Sequence, residues 1–105
     1  MTHDQIVASL VDSFVERHGA YWRYCSDWRR WFEWDGTRWK RDRTDLVLHL
    51  VRIVARDANP RAEQWLGKFT TIARIERAAR TDPRITTVAA DWNDHYLSEN
   101  LQLTR

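Results

Sequence analysis

At 105 residues the chain is near the commonest single-domain size, and a split would leave two pieces too small to bury adequate cores, so one domain over residues 1–105 is expected. With 43% apolar and 30% charged residues, and no apolar stretch near the roughly 18 residues of a membrane span, the composition excludes a disordered chain and a membrane-inserted one. The net charge of +2 conceals a basic centre: residues 17–84 hold sixteen Lys/Arg against nine Asp/Glu, the flanks one against six, a distribution suited to a phosphate backbone or an acidic protein surface.

Gly19, Asp35-Gly36, Asn59-Pro60 and Asp82-Pro83 cut the chain into segments. From Asp4 to His18, Ile6, Leu10 and Phe14 recur every four residues with Val7, Val11 and Val15 beside them, which predicts an amphipathic helix ended by Gly19. His18 at that C-terminus is favoured as a partly charged imidazole by the helix dipole. The aromatic run from Trp22 to Asp42, centred on Asp35-Gly36, predicts a β-hairpin over about 24–42. A two-residue turn puts Trp34 opposite Thr37, Phe32 opposite Trp39 and Arg30 opposite Arg41 on one side. On the other side Glu33 faces Arg38, Trp31 faces Lys40 and Arg29 faces Asp42. Gly36 in a bulge would shift these pairs.

Thr44 is placed to N-cap a helix from Asp45 to about Asp57, whose Leu46, Val47, Leu50, Val51, Ile53 and Val54 form the buried face. A further helix is predicted from about Arg61 to Arg80, with Trp65, Leu66, Phe69, Ile72, Ala73, Glu76 and Ala79 at helical spacing. Gly67 and Thr70-Thr71 weaken its middle and allow a break. Asp82-Pro83 reads as an N-cap followed by proline at the first helical position, opening a short helix through Ile85, Val88, Ala89 and Trp92. Leu101-Gln102-Leu103 alternates as an edge strand does. The predicted class is therefore α+β and mostly helical: an N-terminal helix, one aromatic hairpin, then two to three helices.

Seven tryptophans dominate the core arithmetic, since each buries roughly 150 to 250 Å². Most are expected inside, because a chain this small needs the area. Trp31 shares its hairpin face with Glu33, Arg38 and Lys40, which makes it the tryptophan expected to be exposed and to stack on a base, with Arg29, Arg30, Arg38, Lys40 and Arg41 contacting phosphates. Arg74, Arg77, Arg80 and Arg84 recur at three- or four-residue steps, and the first three are expected to form a second basic ridge. The plainer reading ties that ridge to Glu76 and Asp82 as a solvated helix face.

Catalytic chemistry finds little support. There is no glycine-rich phosphate loop, no nucleophile elbow and no paired zinc motif. Cys25 stands alone, which rules out an internal disulfide and fits a reducing cytoplasm. Asp91, Asp94 and His95 lack a second cluster that would complete a metal shell. No enzyme activity, cofactor or metal is expected, and Met1-Thr2-His3-Asp4 does not open a secretory leader.

The run Arg17-His18-Gly19, Trp22-Arg23-Tyr24, Trp31-Phe32-Glu33-Trp34-Asp35-Gly36-Thr37-Arg38-Trp39 and Asp42, continued by Ile75 to Ile85 and Trp92, resembles the N-terminal-like domain of poxvirus-type primase-helicases of phages and plasmids. The likeness covers about residues 17–92. It implies a non-catalytic module lying between a primase region and a superfamily-three helicase, an adaptor that touches DNA or neighbouring domains. After Trp92 the chain departs from the family pattern and no Walker loop follows, as for an excised domain or a stand-alone relative. Two functions follow as expectations: DNA binding in a replication context, or, alternatively, inhibition of a host complex by protein contacts, as an anti-CRISPR would act.

Overall fold

The computed structural model describes residues 2–59 and 64–92 in full, together with the backbone of residues 103 and 104. Thr2 starts the first helix through a capping box: its hydroxyl accepts the Gln5 N–H at 3.2 Å, and the Gln5 side chain accepts the Thr2 N–H at 2.8 Å. This helix, α1 (His3–His18), buries the predicted stripe of Val7, Leu10, Val11, Phe14 and Val15. Gly19 ends it as expected, but in right-handed geometry with φ −60°. What the position demands is closeness, because a Cβ there would run into the Val15 carbonyl oxygen.

Instead of one hairpin, the aromatic segment forms three strands of a five-stranded sheet in the order β4-β1-β2-β3-β5. The central meander is β1 (Trp22–Cys25), β2 (Arg30–Trp34) and β3 (Trp39–Arg41), antiparallel throughout. Two short strands join its edges in parallel: β4 (Thr86–Thr87) beside β1, and β5 (Leu103–Thr104) beside β3. The strand end at Leu103 agrees with the edge-strand reading of the tail, while residues 101 and 102 lie outside the described residues. The reversal between β1 and β2 contains neither Gly nor Pro, and Arg29 makes the turn at φ 53°. That is why the sequence did not announce a third strand.

The hairpin register is displaced by two residues from the predicted one: Trp34 faces Trp39, Glu33 faces Lys40 and Phe32 faces Arg41. The cause is Asp35, whose Oδ1 accepts the N–H groups of Thr37 and Arg38 and the Thr37 hydroxyl, all at 2.9 Å. These bonds stabilise a loop of Asp35 to Arg38 over a two-residue turn, with Gly36 at φ 103°. A slip of two keeps each side chain on its predicted face.

The same bonds hold the Asp35 carboxyl down to about 2 from an ordinary 3.8, the Thr37 N–H contributing most, then the Arg38 N–H and the Thr37 hydroxyl. A folded value below the unfolded one means that the turn's contribution is complete above about pH 4 and is lost as pH falls towards 2. Thermal melting across that window is expected to fall less steeply in Asp35→Asn than in the wild type.

Both sheet faces are covered. Trp22, Tyr24 and Trp31 pack on the helices, with Trp31 edge-on to Phe14, Trp22 and Tyr24 at 5.3 to 6.3 Å. On the opposite face Cys25, Phe32, Trp39 and Trp92 form a second cluster bordered by Trp28 and Trp34. Trp22, Trp31, Trp39 and Trp92 are buried and Trp28, Trp34 and Trp65 half-buried, in line with tryptophan as core material.

The helix α2 (Leu46–Asp57) buries Val47, Val51, Val54 and Ala55. Thr44 is not its cap. Asp42, at the end of the hairpin, accepts the N–H of Leu46 and of Val47, both at 3.0 Å, and so does from a distance what an N-cap side chain usually does. The predicted helix from Arg61 breaks at Lys68 into α3 (Gln64–Gly67) and α4 (Phe69–Ala79), while residues 60–63 lie outside the described residues. Phe69, expected in the core stripe, is 63% exposed because the break restarts the helix at that residue.

The short helix expected from Asp82-Pro83 does not form. Asp82 caps a single turn, its carbonyl accepting the N–H groups of Ile85 and Thr86 at 2.9 Å. The β-branched run Ile85-Thr86-Thr87-Val88 then extends to form β4, and only three residues, α5 (Ala89–Asp91), are helical before Trp92. Thr87 fastens this segment to the sheet: its buried hydroxyl donates to the Tyr24 carbonyl at 2.9 Å and accepts the Trp92 indole N–H at 2.8 Å. Thr87→Val keeps the shape but orphans both groups. A loss of about 2 to 3 kcal/mol in urea unfolding is expected, with Thr87→Ser retaining much of it.

Candidate nucleic-acid interface

Arg30 opens β2 and Arg41 closes β3, so both stand at the sheet end away from the Asp35 turn, on the face of Phe32. The loop before β2 adds Arg29, and the segment leading into α2 adds Arg43. Together they line a groove of about 290 Å³, to which Tyr24, Trp31, Val47 and Arg80, the residue that follows α4, also contribute. Among the described residues, only Arg29 and Asp45 combine a side chain with a positive φ, 53° and 55°, and both line this groove. Such backbone costs roughly 1 to 2 kcal/mol per residue and gathers where a site requires it.

The carboxylates around the groove are largely engaged elsewhere. Asp42 caps α2. Glu76, only 6% exposed, accepts the Trp31 indole N–H at 3.1 Å and chelates Arg80 through Nε and a second nitrogen, the latter at 2.8 Å. That bond, above all, raises the Arg80 pKa against the opposing effect of burial. Asp45 is exposed at the groove's edge. Among the described residues no carboxylate forms an ion pair with Arg29, Arg30, Arg41 or Arg43.

The arginines from Arg74 to Arg84 differ. Arg74 is paired with Asp4, Arg80 with Glu76, and Arg84 with Asp82 and Asp12, the last two at 2.8 Å. Asp82 and then Asp12 raise Arg84 well above its ordinary value, and the Arg84 side chain lowers Asp82. Arg77 is exposed and has no ion pair among the described residues. The expected basic ridge is therefore mostly compensated, in part by α1 carboxylates about seventy positions away in sequence.

Of the hairpin residues expected at a site, Arg29, Arg30 and Arg41 are brought together. Arg38 lies at the opposite sheet end, 3.8 Å from Asp35, and Lys40 lies opposite Glu33 on the other sheet face. Trp31 is corrected outright, since it is 6% exposed and its indole N–H is held by Glu76. Its charged neighbours misled because β2 is an interior strand, with Tyr24 of β1 directly opposite Trp31. Arg43 was missed, although it follows Arg41 by two positions.

His18 departs from expectation too. Burial and then Arg17 lower its pKa, which favours the neutral imidazole over the charged form that the helix end attracts. Asp91 accepts the Val88 N–H, while Asp94 and His95 lie outside the described residues. Among the described residues no group of three His, Cys, Asp or Glu side chains is placed to hold a metal, and no helix is long and apolar enough to cross a membrane.

The fold and groove define an α+β module with helices against one sheet face and, at one sheet end, arginines that form no ion pair among the described residues. The D5 N terminal like family model matches residues 11–98, and the chain belongs to that family. Membership relates it to phage and plasmid primase-helicases, in which this is an N-terminal domain and not the catalytic part. The match extends the expected 17–92 on both sides and takes in the second half of α1. No curated protein and no solved structure matches the chain.

Proposed function

We propose that the chain is a non-catalytic DNA-binding adaptor of a replication protein, holding the phosphate backbone in the groove of Arg29, Arg30, Arg41 and Arg43. The observation that carries this reading is the selective neutralisation of arginines: Arg74, Arg80 and Arg84 face carboxylates, and Arg52, Arg56 and Arg77 stand exposed on α2 and α4 outside the groove, whereas these four share one concavity without an ion-pair partner among the described residues. Guanidinium groups suit phosphate because their planar fork matches two oxygens at once. Arg77, Lys40 and Arg38 are peripheral in this reading and add long-range attraction only.

Titration of labelled single- and double-stranded DNA at two salt concentrations tests it. Each phosphate engaged contributes about −0.7 to −0.9 to the slope of log K against log salt, so three to four contacts predict a slope of about −3. Absence of binding at about 50 mM salt, or binding indifferent to salt, overturns the proposal.

A further inference from the structure

A second hollow of about 280 Å³ adjoins the groove, lined by Trp28, Arg30, Phe32 and Arg41. Arg30 and Arg41 line both spaces, so the same two side chains border the groove and the hollow. Strand geometry explains the arrangement. Phe32 lies directly across from Arg41, and Arg30 precedes Phe32 by two, which sends all three side chains to one face. Trp28, from the loop before β2, is the other lining residue among those described. It is half-buried, edge-on to Phe32 at 5.8 Å and tilted against Trp92 at 6.1 Å.

From this we infer that the site takes a single strand, with one base seated against Trp28 and Phe32 while its phosphates lie along Arg30 and Arg41. The inference rests on the groove being a phosphate site and adds the base. Paired bases in a duplex keep their faces stacked on one another, whereas a single strand can turn a base outward onto an aromatic ring. The hollow lies just below the roughly 300 Å³ at which pockets for drug-sized ligands begin, which suits one base and not a base pair. Because Phe32 and Trp92 already fix the Trp28 ring, stacking orders little that is not ordered beforehand. Two cations at the rim of an aromatic hollow match a ligand that alternates anionic and π surfaces.

Fluorescence anisotropy with a labelled oligothymidylate, an abasic strand of equal length and a duplex decides it. Wild-type protein is expected to bind the oligothymidylate about tenfold or more tighter than the abasic strand, the range that one base–aromatic stack supports. Trp28→Leu is expected to remove that difference, and Trp28→Phe to restore part of it. Equal wild-type affinity for base-bearing and abasic strands, or preference for the duplex, overturns the base seat and leaves the phosphate groove standing. Failure of all three to bind overturns both. The abasic comparison uses the wild-type chain, so it holds even where a Trp28 variant folds poorly.

Discussion

Glu76→Ala is expected to lower folding stability by about 3 kcal/mol, at the lower end of what breaking a buried pair costs. The carboxylate sits inside α4 at 6% exposure and joins three elements: its own helix, the Trp31 indole of β2, and Arg80, whose guanidinium lies over the Tyr24 ring at 5.1 Å. Arg80 keeps about a third of its side chain in solvent, 36%, so water screens much of the ion pair and the larger loss falls on Trp31. An indole N–H without an acceptor in the core costs roughly 1 to 3 kcal/mol by itself. Two controls separate these parts. Glu76→Gln keeps an acceptor for the indole and should cost less than Glu76→Ala. In a Trp31→Phe background, where no N–H needs satisfying, Glu76→Ala should cost less than it does alone. Urea unfolding of the wild type, Glu76→Ala, Trp31→Phe and the double variant measures the coupling, and a Glu76→Ala midpoint equal to that of the wild type would sink the argument.

Periodicity made α1 and α2 readable, because Val7, Leu10, Val11 and Phe14, and later Val47, Val51 and Val54, repeat at helical spacing and bury what they repeat. Alternation likewise placed Phe32, Trp34 and Trp39 on one sheet face. What escaped was chemistry between segments. Asp35 and Asp42 spend their carboxylates on backbone N–H groups, and each thereby decides a boundary, the hairpin loop and the start of α2, that composition assigns to other residues. A two-residue extended piece such as Thr86–Thr87 has no period to detect and exists because β1 offers it a free edge. The arginine site was half legible for the same reason. Arg29, Arg30 and Arg41 were visible as a basic cluster flanking an aromatic turn, but the silencing of Arg74 and Arg84 by Asp4 and Asp12 depends on α1 packing beside α4.

That asymmetry makes the sharpest test of function. Arg30→Ala with Arg41→Ala should weaken single-stranded DNA binding about 10- to 30-fold near 0.1 M salt, from roughly 0.7 to 1 kcal/mol for each exposed contact. The salt slope should become shallower by about 1.4 to 1.8, since two phosphates then keep their counterions. Arg74→Ala with Arg84→Ala removes the same formal charge. Each of those side chains is already balanced by a carboxylate, however, so the double variant uncovers Asp4, Asp12 and Asp82 without emptying the groove. Its affinity should fall by no more than a few-fold, through the general field alone, with the slope unchanged. Equal losses in the two double variants would mean that total charge, and not the concavity at the end of β2 and β3, attracts the polyanion. A loss confined to Arg30 and Arg41 would assign recognition to geometry that only the folded sheet creates.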